Sequence, residues 1–355
     1  MTGRQRALLG VIVGVTLAVV AAVGVPMNTL ADSIRGVRPE AVLGVSAIFL
    51  TQQALRAARQ RLLAEGLGPR GSFAEHHAVL CMSFFFINTL PARLGELARP
   101  WLLQRRVGLP IGAGVAVVLT ERLFDLSAAL IMLQLALVSA PMPEATISLG
   151  DRELSLASLA RGLALTVLLP ASLGALALGL TGERLVGLGL RGLGAARRRA
   201  PDRLKTVLQR AEDGAQALSG NLIVGLNVLR APRRLAQALG LTAIIWAWTG
   251  LQYVALAWGL GLELPYLGGL GVLSVTMLGT ALPAPPGFVG VYEAACRGAL
   301  GLFAAPHAAA TALAFALIIH WGIWLTQVAT ALVSFVWTGL RPAEVLAQSR
   351  RNQSA

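Results

Sequence analysis

The chain has 355 residues, 55% of them hydrophobic and only 13% charged, with a mean hydropathy of +0.68. A soluble domain of this length covers itself with about a quarter charged residues, so a water-soluble globular fold is excluded and lipid is the expected solvent. The net charge is +13, but the arginines gather between apolar runs. That pattern marks the cytoplasmic loops of a membrane protein and argues against nucleic acid as a partner.

In chain order, Arg4 and Arg6 precede an apolar run over 7–27. The apolar core of a cleaved signal peptide is only about 7–15 residues, so this run reads as an uncleaved signal anchor. A shorter run over 41–57 ends in Gln52, Gln53 and Arg56 and passes as a span that exits at its basic end. Uninterrupted spans are expected over 111–140, 154–180, 235–262 and 307–337, each meeting the requirement of about 20 apolar residues. Two other apolar segments are broken. The first, 73–104, contains Asn88, Pro91, Gly95 and Pro100; the second, 266–303, contains Pro283, Pro285, Pro286, Gly287 and Gly290. Proline removes a backbone donor and glycine weakens a helix, so neither segment is expected to be a straight span.

The arginines orient these segments. Arg56, Arg59, Arg61 and Arg70 precede the first broken segment, and Arg105 and Arg106 follow it. Both flanks then face the cytoplasm, and the segment enters and returns. The loop over 141–153 is mostly acidic (Glu144, Asp151, Glu153) and is expected outside. The region 182–234 carries the densest basic run, including Arg197, Arg198 and Arg199, and is expected to be a cytoplasmic connector. The second broken segment lacks basic flanks and is expected to begin and end outside.

The fold class expected is therefore an all-α integral membrane protein of two inverted repeats. Each repeat has three spanning helices plus one broken, re-entrant helical hairpin. The count is six spans plus two hairpins, or eight spans if both broken segments are kinked spans. Residues 1–340 form one polytopic membrane domain with halves at about 7–140 and 154–337, followed by a cytoplasmic tail over 341–355. Both termini are expected in the cytoplasm. The Ala, Leu, Gly and Arg bias, with Lys205 as the sole lysine, points to a GC-rich bacterium and hence to a cytoplasmic (inner) membrane. The connector also has apolar residues at helical spacing, from Leu204 to Leu218. They suit either a tether between the halves or a helix lying on an anionic leaflet.

Charged groups within the membrane are costly and point to function. The candidates are Arg93, Glu96 and Arg99 in the first broken segment, Glu121, Arg122 and Asp125 in the following span, and Glu293 and Arg297 after the second break. Helical spacing lets Arg93, Glu96 and Arg99 meet, Arg122 reach Asp125, and Glu293 reach Arg297. Pairing that only locks helices together is the competing account of these charges. Cys81 and Cys296 lie in apolar runs and read as small packing residues. The histidines show no ligand spacing, so neither a metal nor a cofactor is expected.

Three ordered motifs carry a family resemblance. They are Asn88-Thr89-Leu90-Pro91-Ala92-Arg93-Leu94-Gly95-Glu96 with Arg99, then Thr120-Glu121-Arg122-Leu123-Phe124-Asp125, then the stretch from Leu282 through Pro286, Gly287 and Gly290 to Glu293. Over nearly the whole chain these resemble the family of the lysylphosphatidylglycerol synthase transmembrane region, whose stand-alone members are called flippase-like. Ala92 and Phe288 replace glycines of the family pattern. The resemblance implies a membrane lipid flippase or lipid-binding transporter, and not an enzyme, for an anionic or modified headgroup. The headgroup would belong to a phospholipid or a polyprenyl-phosphate-linked lipid. The residues expected to hold it are Asn88, Pro91, Arg93, Gly95, Glu96, Arg99, Glu121, Arg122, Asp125, Pro286, Gly287, Gly290 and Glu293. The rival readings are an intramembrane enzyme acting on a lipid-linked substrate and a non-transporting scaffold for cell-envelope glycolipid synthesis. The membrane lipid is the expected partner, with self-association into a homo-oligomer left open.

Overall fold

The computed structural model describes residues 3–69, 71–89, 95–139, 146–149, 152–170, 172–174, 188–189, 191–198, 204–205, 208–209, 213, 216, 231–281 and 285–345. Pro91, Arg93, Pro283, the tail beyond 345 and most of the connector lie outside them. The main helices in chain order are α1 (Gly3–Ala22), α2 (Met27–Arg35), α3 (Pro39–Ala64), α4 (Phe73–Thr89), α5 (Gly95–Val107) and α6 (Ile111–Ser139). After them come α7 (Leu156–Leu163), α8 (Pro232–Gly259), α9 (Tyr266–Gly279), α10 (Val291–Phe303) and α11 (Ala309–Thr338).

Among the described residues, three helices are long and apolar enough to cross a membrane: α3 with 26 residues, α8 with 28 and α11 with 30. The second part of α1 and α2 would pass together as a fourth span, but they meet at an angle of 85°. The α6 helix has 29 residues and carries Glu121, Arg122 and Asp125. The sequence explains the helix limits. Pro39 and Pro232 sit at the first helical positions of α3 and α8, where a missing N–H costs nothing. Ser72 and Glu75 cap α4 reciprocally: the Ser72 amide donates to Glu75 Oε2 (2.8 Å) and the Glu75 amide to Ser72 Oγ (3.2 Å). Gly339 ends α11 in the left-handed conformation.

Between α6 and α7 the chain forms a small antiparallel ribbon, β1 (Thr146–Leu149) paired with β2 (Arg152–Ser155), with Thr146 opposite Ser155. The helical expectation omitted this ribbon, because its four-residue strands fall in a polar loop and carry almost no periodic signal. The helix expected from 154 starts at Leu156 and passes into a π-helical turn at Ala164–Leu168.

Helix contacts recur in the two halves. In the first half α3 packs on α4, α4 on α5 and α5 on α6; in the second, α8 packs on α9, α9 on α10 and α10 on α11. The halves also exchange contacts. The α3 helix lies along α8, α4 rests on α11, and α9 rests on α6. One apolar core joins residues such as Tyr253, Leu273, Tyr292 and Phe315 of the second half to Ala129 and Leu133 of α6. A second joins Met82, Leu102 and Val117 of the first half to Ala331 and Phe335 of α11.

The second break is sealed by α1. Gly290 has φ 82°, and a Cβ there would strike the carbonyl oxygen of Gly14; a Cβ on Gly14 would strike the Pro285 ring. Small residues let the two backbones touch. Gly290→Ala is therefore expected to cost about 1–3 kcal/mol through backbone strain, seen as a lower Tm in detergent. An unchanged Tm would show that this contact is dispensable.

Candidate functional site

Between the halves lies a cavity of about 290 Å³. Its wall draws Gln52, Gln53 and Arg56 from α3, Asn88 from α4, Arg122 and Asp125 from α6, Trp246, Gln252 and Tyr253 from α8, and His320, Trp324 and Gln327 from α11. Both breaks reach it, through Asn88 at the end of α4 and through Thr280, Ala281 and Phe288 after α9. The two breaks also approach each other, since a Cβ on Gly287 would lie 3.5 Å from the Asn88 carbonyl oxygen.

Three polar networks surround the cavity. In the first, Arg59 of α3 is 1% exposed and donates from Nη1 to Asp125 Oδ1 (2.8 Å) and to Thr242 Oγ1 (2.9 Å). Trp246 Nε1 donates to the same carboxylate oxygen at 3.2 Å. In the second, Arg99 of α5 is also buried. Its Nη1 meets Glu121 Oε2 at 2.8 Å, its Nε donates to Ser83 Oγ at 3.0 Å, and its guanidinium lies 4.7 Å from the Phe84 ring centroid. In the third, Glu293 of α10 accepts from the Gly290 amide through Oε2 (2.7 Å) and meets His320 Nδ1 through Oε1 (2.7 Å). The His320 ring stacks on Tyr292 with centroids 4.2 Å apart, and the Tyr292 and Tyr253 hydroxyls are 3.0 Å apart.

Arg56, half-buried, differs from the buried Arg59 and Arg99. Its guanidinium faces the Phe84 ring at 5.2 Å and lines the cavity, yet it makes no hydrogen bond or close ion pair with the described residues. A cation taken out of water without a hydrogen-bonded carboxylate among the described residues carries an uncompensated desolvation cost.

These positions separate the residues expected from sequence into groups. Asn88, Arg122 and Asp125 line the cavity. Arg99 and Glu121 pair with each other beside Ser83, and neither belongs to the cavity wall. Glu293 touches the cavity indirectly, through His320. Gly290 packs on α1 and its amide is used by Glu293, while Pro286 and Gly287 form a 3-10 turn beside Asn88. Gly95 and Glu96 start α5, with the Glu96 side chain outside the described residues, as are Pro91 and Arg93.

Two expected pairings are replaced. Asp125 takes Arg59 from another helix as its ion-pair partner, where i, i+3 spacing suggests Arg122. Glu293 takes Gly290 and His320, while Arg297 donates to the Ala21 carbonyl oxygen. Of the flank arginines, Arg59 is buried in the helix bundle and the half-buried Arg56 lines the cavity. Sequence reasoning missed Arg56, Arg59 and His320. The available signal was the polar stripe Gln52, Gln53, Arg56, Arg59 and Gln60, which follows one face of an otherwise apolar helix.

Long apolar helices enclosing a charged and amide-lined cavity define a multi-pass membrane protein with a buried polar site. The chain belongs to the family of the lysylphosphatidylglycerol synthase TM region, which matches residues 7–331. It is also similar to the glycosyltransferase AglD of Haloferax volcanii, at 28% identity over 297 residues. That alignment covers 79% of this chain and 46% of AglD, so the chain spans about half the length of this curated relative.

Proposed function

We propose that this chain is a lipid flippase, or lipid-binding transporter, of a bacterial inner membrane, taking an anionic or modified lipid headgroup into the cavity between its halves. The reading rests chiefly on Arg56, a cation in the cavity wall with no committed carboxylate. Arg122 in the same wall adds a second positive group. The protein performs no covalent chemistry in this reading. Arg56→Ala in proteoliposomes should cut lipid flipping about tenfold or more, the value of one lost charge-assisted contact. Its Tm should stay level or rise, because no ion-pair partner is orphaned. Undiminished flipping would remove Arg56 from the site.

The two halves act as inverted repeats with re-entrant hairpins, α4–α5 and α9–α10. The hairpin helices have 17, 13, 14 and 13 residues. At 1.5 Å per residue none spans a hydrocarbon core of about 30 Å. Each also packs on its partner, whereas the arms of a kinked span meet only at the kink. With both termini inside, Gln216→Cys in the connector should resist an impermeant thiol reagent in intact cells. Labelling there would reverse the orientation.

The likeness to AglD favours a second reading, a part in glycolipid synthesis as a scaffold or an intramembrane enzyme. Mass analysis of lipids incubated with purified protein separates the readings, because a flippase leaves lipid mass unchanged.

A further inference from the structure

We infer that the headgroup accepted by this cavity is a glycosyl phosphate carried on a lipid, an assignment that rests on the anionic-lipid reading above and narrows it. The cavity offers three chemistries together: uncommitted amides, aromatic faces and cations.

The amides are the main observation. Gln52 is 5% exposed, lines the cavity and forms no hydrogen bond with the described residues. Gln252 is fully buried; its Nε2 donates to the Val45 carbonyl oxygen (3.0 Å), while its Oε1 is left without a partner. Asn88, at the tip of the first break, also forms no hydrogen bond with the described residues. Gln52 and the Gln252 Oε1 atom are buried polar groups without a partner among the described residues, which costs free energy. They are therefore expected to be satisfied when the cavity is filled, with the half-buried Asn88 beside them. Each side-chain amide presents a carbonyl acceptor beside an NH₂ donor. A hydroxyl both donates and accepts, so a polyhydroxylated ring matches several amides at once, whereas an acyl chain matches none.

Aromatic rings complete the match. Trp246, Tyr253, Phe288, Tyr292 and Trp324 line the same cavity, and the C–H face of a pyranose packs well on such rings. Arg56 and Arg122 supply the positive charge for the phosphate. The charges also discriminate against another class of headgroup. The one carboxylate among the described cavity residues, Asp125, is already held by Arg59 and Trp246. An ammonium-bearing aminoacyl headgroup would meet Arg56 and, among the described cavity residues, no carboxylate that is not already paired, which repels it.

The test uses the purified full chain in nanodiscs and four defined probes. They are a short prenyl phosphate hexoside, the same prenyl phosphate without sugar, hexose 1-phosphate without lipid, and lysylphosphatidylglycerol. The hexoside should bind about tenfold tighter than the bare prenyl phosphate, the value of one to two net hydrogen bonds. Gln52→Leu should shrink that ratio to about threefold or less. The wild-type comparison decides even if a variant folds poorly. Equal binding of hexoside and bare prenyl phosphate overturns the glycosyl assignment and leaves the anionic-lipid reading standing. Tighter binding of lysylphosphatidylglycerol overturns it as well. Hexose 1-phosphate binding as tightly as the hexoside overturns the lipid part, and failure of every lipid probe to bind overturns both readings together.

Discussion

Asp125→Ala is expected to destabilise the protein by about 3–5 kcal/mol, seen as a large fall in Tm or an earlier unfolding midpoint in detergent. The cause is the charge left behind. Arg59 is 1% exposed and has Asp125 as its ion-pair partner, with Thr242 as a neutral second contact. Arg56 and Arg122 line the cavity beside it, so losing the carboxylate also leaves like charges facing one another. Trp246 loses its acceptor in addition. Arg59→Leu combined with Asp125→Leu should recover most of the loss, because apolar residues of similar volume tolerate the site better than one stranded ion. If Asp125→Ala melts like the parent, the pair contributes nothing to the fold.

On the proposed flippase reading, Glu293→Ala should fail more broadly, losing both stability and transport. It removes a capping acceptor from the Gly290 amide, a change worth about 0.5–2 kcal/mol. It also removes the partner of His320, and hydrogen bonds to charged groups are worth about 1.5–3 kcal/mol. Glu293→Gln separates the two roles. An amide oxygen still accepts from Gly290, so Tm should stay close to that of the parent. The group no longer carries the charge that orients His320 in the cavity wall. Flipping should therefore drop about tenfold in Glu293→Gln. Adding Arg297→Gln should not restore it, because Arg297 bonds to Ala21 and not to Glu293. Full activity in Glu293→Gln would reduce the residue to a helix cap.

What could be read from the sequence follows from how local the signal is. Long apolar runs gave α3, α8 and α11, because length and hydropathy are properties of one segment. Both broken segments were legible for the same reason, through Asn88, Pro91 and the Pro285-Pro286-Gly287 run. The partners of the charges were not legible. Arg59 and Asp125 are 66 positions apart, and nothing local marks their meeting. Helical spacing pointed from Glu293 to Arg297, four residues on, but Glu293 lies in the first turn of α10. There the free amide of Gly290 competes for the carboxylate and wins. Gly290 was expected among the residues that hold the headgroup, and nothing local marks the backbone that approaches it. The approaching group is Gly14 of α1, from a helix that contributes nothing to the motif.

The exchange of contacts between halves bears on how the protein is made. The α4 helix packs on α11, whose first residue emerges from the ribosome on the order of two hundred residues after the last residue of α4. At synthesis rates of about 5–20 residues per second, that interval is on the order of tens of seconds. Throughout it α4 lacks the cover of α11, and Gln53 of α3 lacks its bond to Gln327. A nascent chain in that condition is an exposed client for insertion factors and membrane proteases. Arrested chains that stop before α11 should accordingly be short-lived in cells, and those that include it should persist.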